Sequence, residues 1–113
     1  MNPATVNVQI EKGDSRAFTY LLRDVNEVPL DISSLLSDLQ VKIKASKNDS
    51  SSEIVRKSLD QGNISVPELG RISFQILSQD LKYFSEGLYF WELKLVFLDG
   101  TVETWFKGEF KIV

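Results

Sequence analysis

Five carboxylates, Glu86, Glu92, Asp99, Glu103 and Glu109, fall within one stretch near the carboxyl end, and two carboxylates held at a fixed separation can divide acid and base roles. The surrounding pattern argues against that use. Glu92 alternates with Lys94 and Glu109 with Lys111, as charges do along the solvated face of a strand. Nucleophilic catalysis has less to draw on, because the chain contains no Cys and no His. A serine would need a lysine as its base, yet no S-x-x-K occurs. The same absences remove disulfides and thiolate or imidazole metal sites. Oxygen donors suit calcium, and Asp49 with Asp60, or Asp80 with Glu86, are the candidate pairs, but the D-x-[DN]-x-[DN]-G pattern is missing. The six glycines are scattered and form no phosphate-cradling loop. No catalytic residue, metal or cofactor is expected.

Aromatic side chains are the remaining chemistry. Tyr83, Phe90 and Trp105 are the candidates for a sugar-binding surface, which needs exposed rings beside hydrogen-bonding groups. The same three also suit a core or a subunit contact.

With 113 residues, 42% of them hydrophobic and 26% charged, the chain has the size and balance of one globular domain, residues 1–113. A net charge of −3 gives no electrostatic reason to expect nucleic acid or an anionic membrane as partner. The amino terminus has no basic segment followed by an apolar one, so no signal peptide is expected and synthesis in a cytoplasm is the default. No apolar run approaches the ~18 residues needed to cross a bilayer. Asn48-Asp49-Ser50 and Asn63-Ile64-Ser65 match the glycosylation pattern and read as loop asparagines.

The elements that must position these residues are strands, because apolar residues recur at every second position. Val6, Val8 and Ile10 predict a first strand, turning at Glu11–Ser15 in a hairpin to a second around Phe18, Tyr20 and Leu22. Ile32, Leu35, Leu36 and Leu39 are spaced for a short helical turn, with Asp31 or Ser33 as its cap. Leu39–Ala45 alternates again, with Lys42 and Lys44 on a basic face in water. Ser46–Ser52 is a polar hairpin tip, Ile54 and Val55 a return strand at an edge, and Ile64–Val66 a brief extended piece ended by Pro67. Ile72, Phe74 and Ile76 mark another strand; Ser78–Phe84 is a capped turn delivering Leu81 and Phe84 to the core.

Leu88–Phe97 is the longest strand, with Tyr89, Trp91, Leu93, Leu95 and Phe97 on one face and Trp91 at the centre of the core. Asp99-Gly100 signals the last hairpin, and the final strand, Val102–Val113, slips out of alternation around Trp105 with Gly108 mid-strand, which predicts a bulge. About seven such strands and one or two short helical turns predict an all-β, antiparallel sandwich of immunoglobulin type, with a small open barrel as the alternative. Phe90, Val96 and Trp105 fall on or near the face opposite Trp91, where a two-layer sandwich is otherwise polar, and are the expected interface residues.

The order of motifs adds a likeness. Lys12-Gly13-Asp14, Phe18–Asp24, Pro29-Leu30-Asp31-Ile32, Val41-Lys42-Ile43, Gly70–Phe74, Gly87–Leu93, Asp99–Val102 and Gly108–Ile112 follow one another along nearly the whole chain. Together they resemble the small immunoglobulin-like domains of tailed-phage and prophage structural proteins, including the amino-terminal domain of the baseplate upper protein family. The resemblance implies a non-enzymatic virion component, made in the bacterial host cytoplasm. It would act as a tail, baseplate, neck or head-associated adaptor or decoration, with other virion proteins as partners and a homo-oligomer as a further possibility. A glycan-binding or adhesion module using exposed aromatics is the alternative.

Overall fold

Along Gly87–Phe97 the side chains alternate between interior and exterior, and this eleven-residue strand is the spine of the larger of two sheets. The computed structural model describes residues 3–47 and 53–113. Its elements in chain order are β1 (Ala4–Thr5), β2 (Val8–Ile10), β3 (Arg16–Leu21), α1 (Ile32–Leu35), β4 (Leu36–Lys44), β5 (Glu53–Ser58), β6 (Ile64–Glu68), β7 (Arg71–Ile76), a 3₁₀ turn (Ser78–Leu81), β8 (Gly87–Phe97) and β9 (Val102–Ile112). One sheet has the order β9-β8-β4-β5, with β1 and β2 both paired to the outer side of β9; the other has the order β3-β7-β6. These are the two layers of an immunoglobulin-like sandwich, as the strand pattern predicts.

The core lies between them. Leu39, Val41 and Ile43 of β4, Leu93 and Leu95 of β8 and Ile72 and Ile76 of β7 are almost wholly removed from water. Trp91 is 4% exposed. Tyr89, two residues earlier, donates its hydroxyl to the Ser85 carbonyl at 2.9 Å, the tyrosine corner of the immunoglobulin fold. In antibody domains the residue two positions after that tyrosine is a cysteine bridged to the opposite sheet. Here it is Trp91, and it stacks on Tyr20 of β3 with ring centroids 6.0 Å apart. An aromatic contact therefore joins the sheets where a disulfide would, and Tyr20 extends it to Phe74 at 6.2 Å and Phe106 at 5.3 Å.

The amino-terminal strand departs from expectation. It is not one antiparallel strand in a hairpin with β3 but two short pieces, β1 and β2, both running parallel to β9. The break at Val6-Asn7 has a physical cause. Val6 bonds through its N–H to the Lys107 carbonyl (2.9 Å), while its own carbonyl accepts the Trp91 indole N–H at 2.7 Å. Asn7 then substitutes its side chain for the strand, accepting the Glu109 N–H at 3.0 Å. Gly108 makes room: a Cβ there would collide with the Val6 carbonyl group, whose carbon lies 2.7 Å away, and with Asn7 Oδ1 at 2.9 Å.

Other elements follow the sequence with shifted bounds. The helical turn is confined to Ile32–Leu35, and β4 starts at Leu36 rather than Leu39. Asp31 stands at its start, but its carboxylate accepts from the Ser33 and Ser34 hydroxyls instead of capping backbone N–H groups. Pro67 does not end β6; the strand runs on to Glu68 because it lies at a sheet edge, where the missing N–H costs no ladder bond. The tip expected at Ser46–Ser52 falls largely outside the described residues. Leu81 is fully buried and Phe84 packs against the core. The bulge in β9 sits at Trp105, where the register with β8 slips between Phe106 and Thr104; Gly108 serves the close approach of Val6 instead. Gly100, at φ 91°, closes the β8–β9 turn in the left-handed region.

Two substitutions test this junction by urea denaturation. Gly108→Ala, which strand propensity alone would favour, is expected to cost about 2 kcal/mol or more because β1 and β2 must move off the sheet. Trp91→Phe keeps an aromatic ring but strands the Val6 carbonyl, and a loss of about 2–3 kcal/mol is expected. Wild-type midpoints for both variants would show that the junction contributes nothing.

Candidate functional site

The residues of β8 that point away from the core are Phe90, Glu92, Lys94 and Val96, and their neighbours follow from the register. Arg56, Lys42, Glu92 and Lys107 form one row across the four strands, and Glu53, Lys44, Phe90 and Glu109 form the next. Arg56 and Lys42 meet as like charges, but each lysine of β4 also has a carboxylate directly opposite or on the diagonal. Lys44 Nζ lies 2.8 Å from Glu92 Oε1, Lys94 Nζ lies 3.6 Å from the same oxygen, and Lys42 Nζ lies 3.0 Å from Glu53 Oε1.

This face is not the basic, solvated strip that Lys42 and Lys44 suggest in sequence. The Lys44 side chain is only 7% exposed and that of Glu92 13%. Glu92 Oε1 is buried, and the two ammonium groups are its counter-charges. Ion pairs this far from water are costly to break, since removing one member leaves the other's charge desolvated.

Beside the row runs an open groove of about 710 Å³. Pro3, Thr5 and Asn7 stand on one side and Lys44, Ser46, Lys47 and Phe90 on the other, with Gly108 between them in β9. Among the described residues its charged lining comprises Lys44, Lys47, Lys94 and Lys107 against Glu92 and Glu109. Phe90 is half-buried, and the Lys47 ammonium sits 5.4 Å from its ring centroid. Inside the sandwich, by contrast, the gap among Val8, Tyr20, Trp91 and their neighbours measures about 10 Å³, too small for an organic ligand.

The expected interface residues separate. Phe90 and Val96 share the outer face, but they are six positions apart on β8, about 20 Å, and Val96 lies outside the groove. Trp105, in the bulge, packs against the core and donates its indole N–H to Glu103 at 3.1 Å. The sugar-binding candidates separate likewise: Tyr83 is 85% exposed, whereas Phe90 carries Lys47 and Trp105 is packed inward.

The carboxylates considered for catalysis have other partners. Glu92 faces lysines, Glu103 accepts from Trp105, and Asp99 accepts the Thr101 N–H at 2.8 Å. Glu86 is exposed, and Glu109 is exposed at the rim of the groove. Of the calcium pairs, Asp49 lies outside the described residues. Asp80 accepts the Leu77 N–H and pairs with Lys57 at 2.8 Å, tying β5 to the 3₁₀ turn across the sandwich edge. Among the described residues no three carboxylates converge as a metal site requires.

At the far end of the outer face, Asp38 accepts from its neighbour Leu39, from Gln40 Nε2 at 2.9 Å and from the Asp60 N–H at 3.0 Å. Burial acts to raise its pKa, but these hydrogen bonds and the charge of Arg56 outweigh it and hold the group below the ordinary aspartate value.

No family model matches the chain, and no curated protein does. Among solved structures it is similar to the endo-beta-1,4-mannanase from Thermotoga petrophila, with a TM-score of 0.55 and 16% identity over 99% of this chain. The chain spans 18% of that enzyme's length, and at such identity the likeness shows the fold alone. Murine CRIg is also similar (TM-score 0.43, 13% identity, 94% of this chain and 89% of that one). So are the extracellular domains of the voltage-gated sodium channel beta4 subunit (TM-score 0.45, 10% identity, 100% and 94%).

The outer face yields two stability predictions. Lys44→Met should cost about 2 kcal/mol or more, because Glu92 loses its nearest counter-charge in a dry setting, while Lys94→Met should cost under about 1 kcal/mol. Equal losses would show that depth of burial does not set the strength of these pairs. Asp38→Ala should cost about 1 kcal/mol at neutral pH. A depressed folded-state pKa gives stability that is present above the unfolded value and lost as pH falls through the folded one, so the gap between variant and wild type should close in acid. A gap that stays constant from neutral pH to pH about 2 would remove the charge from the explanation.

Proposed function

We propose that this chain is a non-enzymatic structural protein of a tailed-phage particle or prophage-derived tail, docking on another virion protein through the outer face of its larger sheet. The observation that carries the docking part is the groove beside Phe90. Its central carboxylate, Glu92, is already matched by Lys44 and Lys94, so among the described residues Phe90, Lys47 and Lys107 are what the groove offers a partner. An apolar ring flanked by cations fits a protein segment that presents an apolar side chain among carboxylates. Val96, on the same face but outside the groove, is not part of this contact.

The virion part rests on the order of motifs from Lys12-Gly13-Asp14 to Gly108–Ile112, together with the immunoglobulin-like fold. On this reading the protein is made in the host cytoplasm and resides in the particle. Glycan binding or adhesion has weaker support, since Tyr83, Phe90 and Trp105 do not form a shared platform.

The test is mass spectrometry of density-purified particles released from cells that carry the gene. The chain should be present at a fixed ratio to other particle proteins, and Phe90→Ala, with an unchanged melting temperature, should reduce its incorporation at least about tenfold. Particles without the chain would refute the virion assignment; full incorporation of Phe90→Ala would refute the groove as the docking surface.

A further inference from the structure

We propose that the free edge of β3 pairs antiparallel with β3 of a second copy of this chain, about a two-fold axis at Thr19. The contact lies in the smaller sheet and does not rest on the docking role of the groove.

Sheet edges are usually blunted against such pairing, by prolines, charges, bulges or breaks. Three edges of this sandwich are. The β1–β2 edge follows Pro3 and is interrupted at Val6-Asn7. The β5 edge carries Glu53, Arg56 and Lys57 and a register shift opposite Lys44. The β6 edge contains Pro67 and a shift between Ser65 and Glu68. The edge of β3 has none of these: Ala17-Phe18-Thr19-Tyr20-Leu21 contains no proline, glycine or charge and keeps one register with β7 throughout. Arg16, its flanking charge, is turned back, donating to the Gln9 carbonyl at 3.0 Å with its guanidinium 5.1 Å from the Phe18 ring centroid.

The outward groups are identified by the ladder. Leu22 donates its N–H to Gly70 beyond the end of β7. By alternation Phe18 and Tyr20 also bond β7, which leaves the N–H and C=O of Ala17, Thr19 and Leu21 directed away from it. Among the described residues nothing bonds these outward groups. The window is bounded: past Leu21 the chain folds back, with Leu30 donating to the Leu22 carbonyl and Asp24 to that of Val28. Its centre is Thr19.

A second copy fits this window row by row. Antiparallel pairing about Thr19 sets Thr19 opposite the partner's Thr19 and Ala17 opposite the partner's Leu21, which closes about six backbone hydrogen bonds. On the inner side Phe18 meets the partner's Tyr20, twice, a favourable aromatic pair, and no row within the window opposes like charges. So short a contact is small for a stable interface, so association is reversible in the micromolar range.

Light scattering across a concentration series on the full chain should give a mass that rises from monomer to dimer. Thr19→Cys, in a chain without cysteine, should form a disulfide-linked dimer on mild oxidation, because the paired Cα atoms lie about 5.5 Å apart. Ser65→Cys on the β6 edge is the control and should remain monomeric. Thr19→Pro removes an N–H that faces outward and should give a folded monomer; Thr19→Lys, which opposes two ammonium groups at the axis, does the same with no backbone change. A wild-type monomer up to about 300 μM would overturn the proposal. So would Thr19→Cys that cross-links no faster than the control, or Thr19→Lys that still dimerises.

Discussion

The hydrogen bond from the Trp91 indole to the Val6 carbonyl ties the amino-terminal strand of the larger sheet to the centre of the core. At 2.7 Å and across a sequence separation of 85 residues, it adds a side-chain tie to the backbone ladder that pairs β1 and β2 with β9. A buried indole N–H needs an acceptor, and a sandwich interior has few, because strand carbonyls are committed to their ladders. The chain meets that need by breaking its first strand. The Val6 carbonyl leaves the ladder for Trp91, and the ladder is repaired by the Asn7 side chain at Glu109. Gly108 is required because the displaced carbonyl occupies the space a side chain would take. Stacked on Tyr20, the same tryptophan joins the opposing sheet, so one residue fixes both the first strand and the packing of the layers.

The outer face of the larger sheet shows a second constraint. Glu53 and Glu92, on the strands flanking β4, pair with its lysines, so the face can be drier than a surface strand pattern implies. Lys44 is the deepest of them, and its proximity to Glu92 depends on the diagonal between β4 and β8. Such pairs contribute less to stability than an apolar contact of the same size, because each ion loses its hydration. What they do supply is register: a one-residue slip of β4 would set these charges into the core and bring Val41 and Ile43 outside.

Much of this was legible in the sequence where the signal is local. The alternation of Leu88–Phe97, the Asp99-Gly100 turn and the slip at Trp105 each depend on a few adjacent residues, and each is found in place. The parallel pairing of β1 and β2 was not legible, because Val6–Ile10 alternates as any half-buried strand does and its partner is selected by Gly108, far along the chain. Pro67 misled for a related reason, since whether a proline ends a strand depends on whether that strand lies at an edge. At the candidate site, alternation suffices to put Phe90 and Val96 on the outer face. It does not reveal that Lys44 is buried, that Lys47 covers Phe90 or that Asn7 reaches the groove, because these depend on which strands become neighbours. The Tyr89–Trp91 spacing was a missed signal: a tyrosine corner marks the residue two positions on as the link between sheets.

The two candidate contact surfaces belong to different layers, and this separation has a consequence. The groove lies on the larger sheet, whereas the free edge of β3 extends the smaller one, so the two contacts use different backbone and side-chain groups. A copy-to-copy contact through β3 would therefore present two grooves related by a two-fold axis. A partner that itself occurs in several copies would meet them in succession. The second engagement is then intramolecular, at an effective concentration far above that of the free protein, and two weak contacts can hold where one would not. For a small domain with a modest groove and a short open edge, such repetition supplies the strength that neither surface has alone.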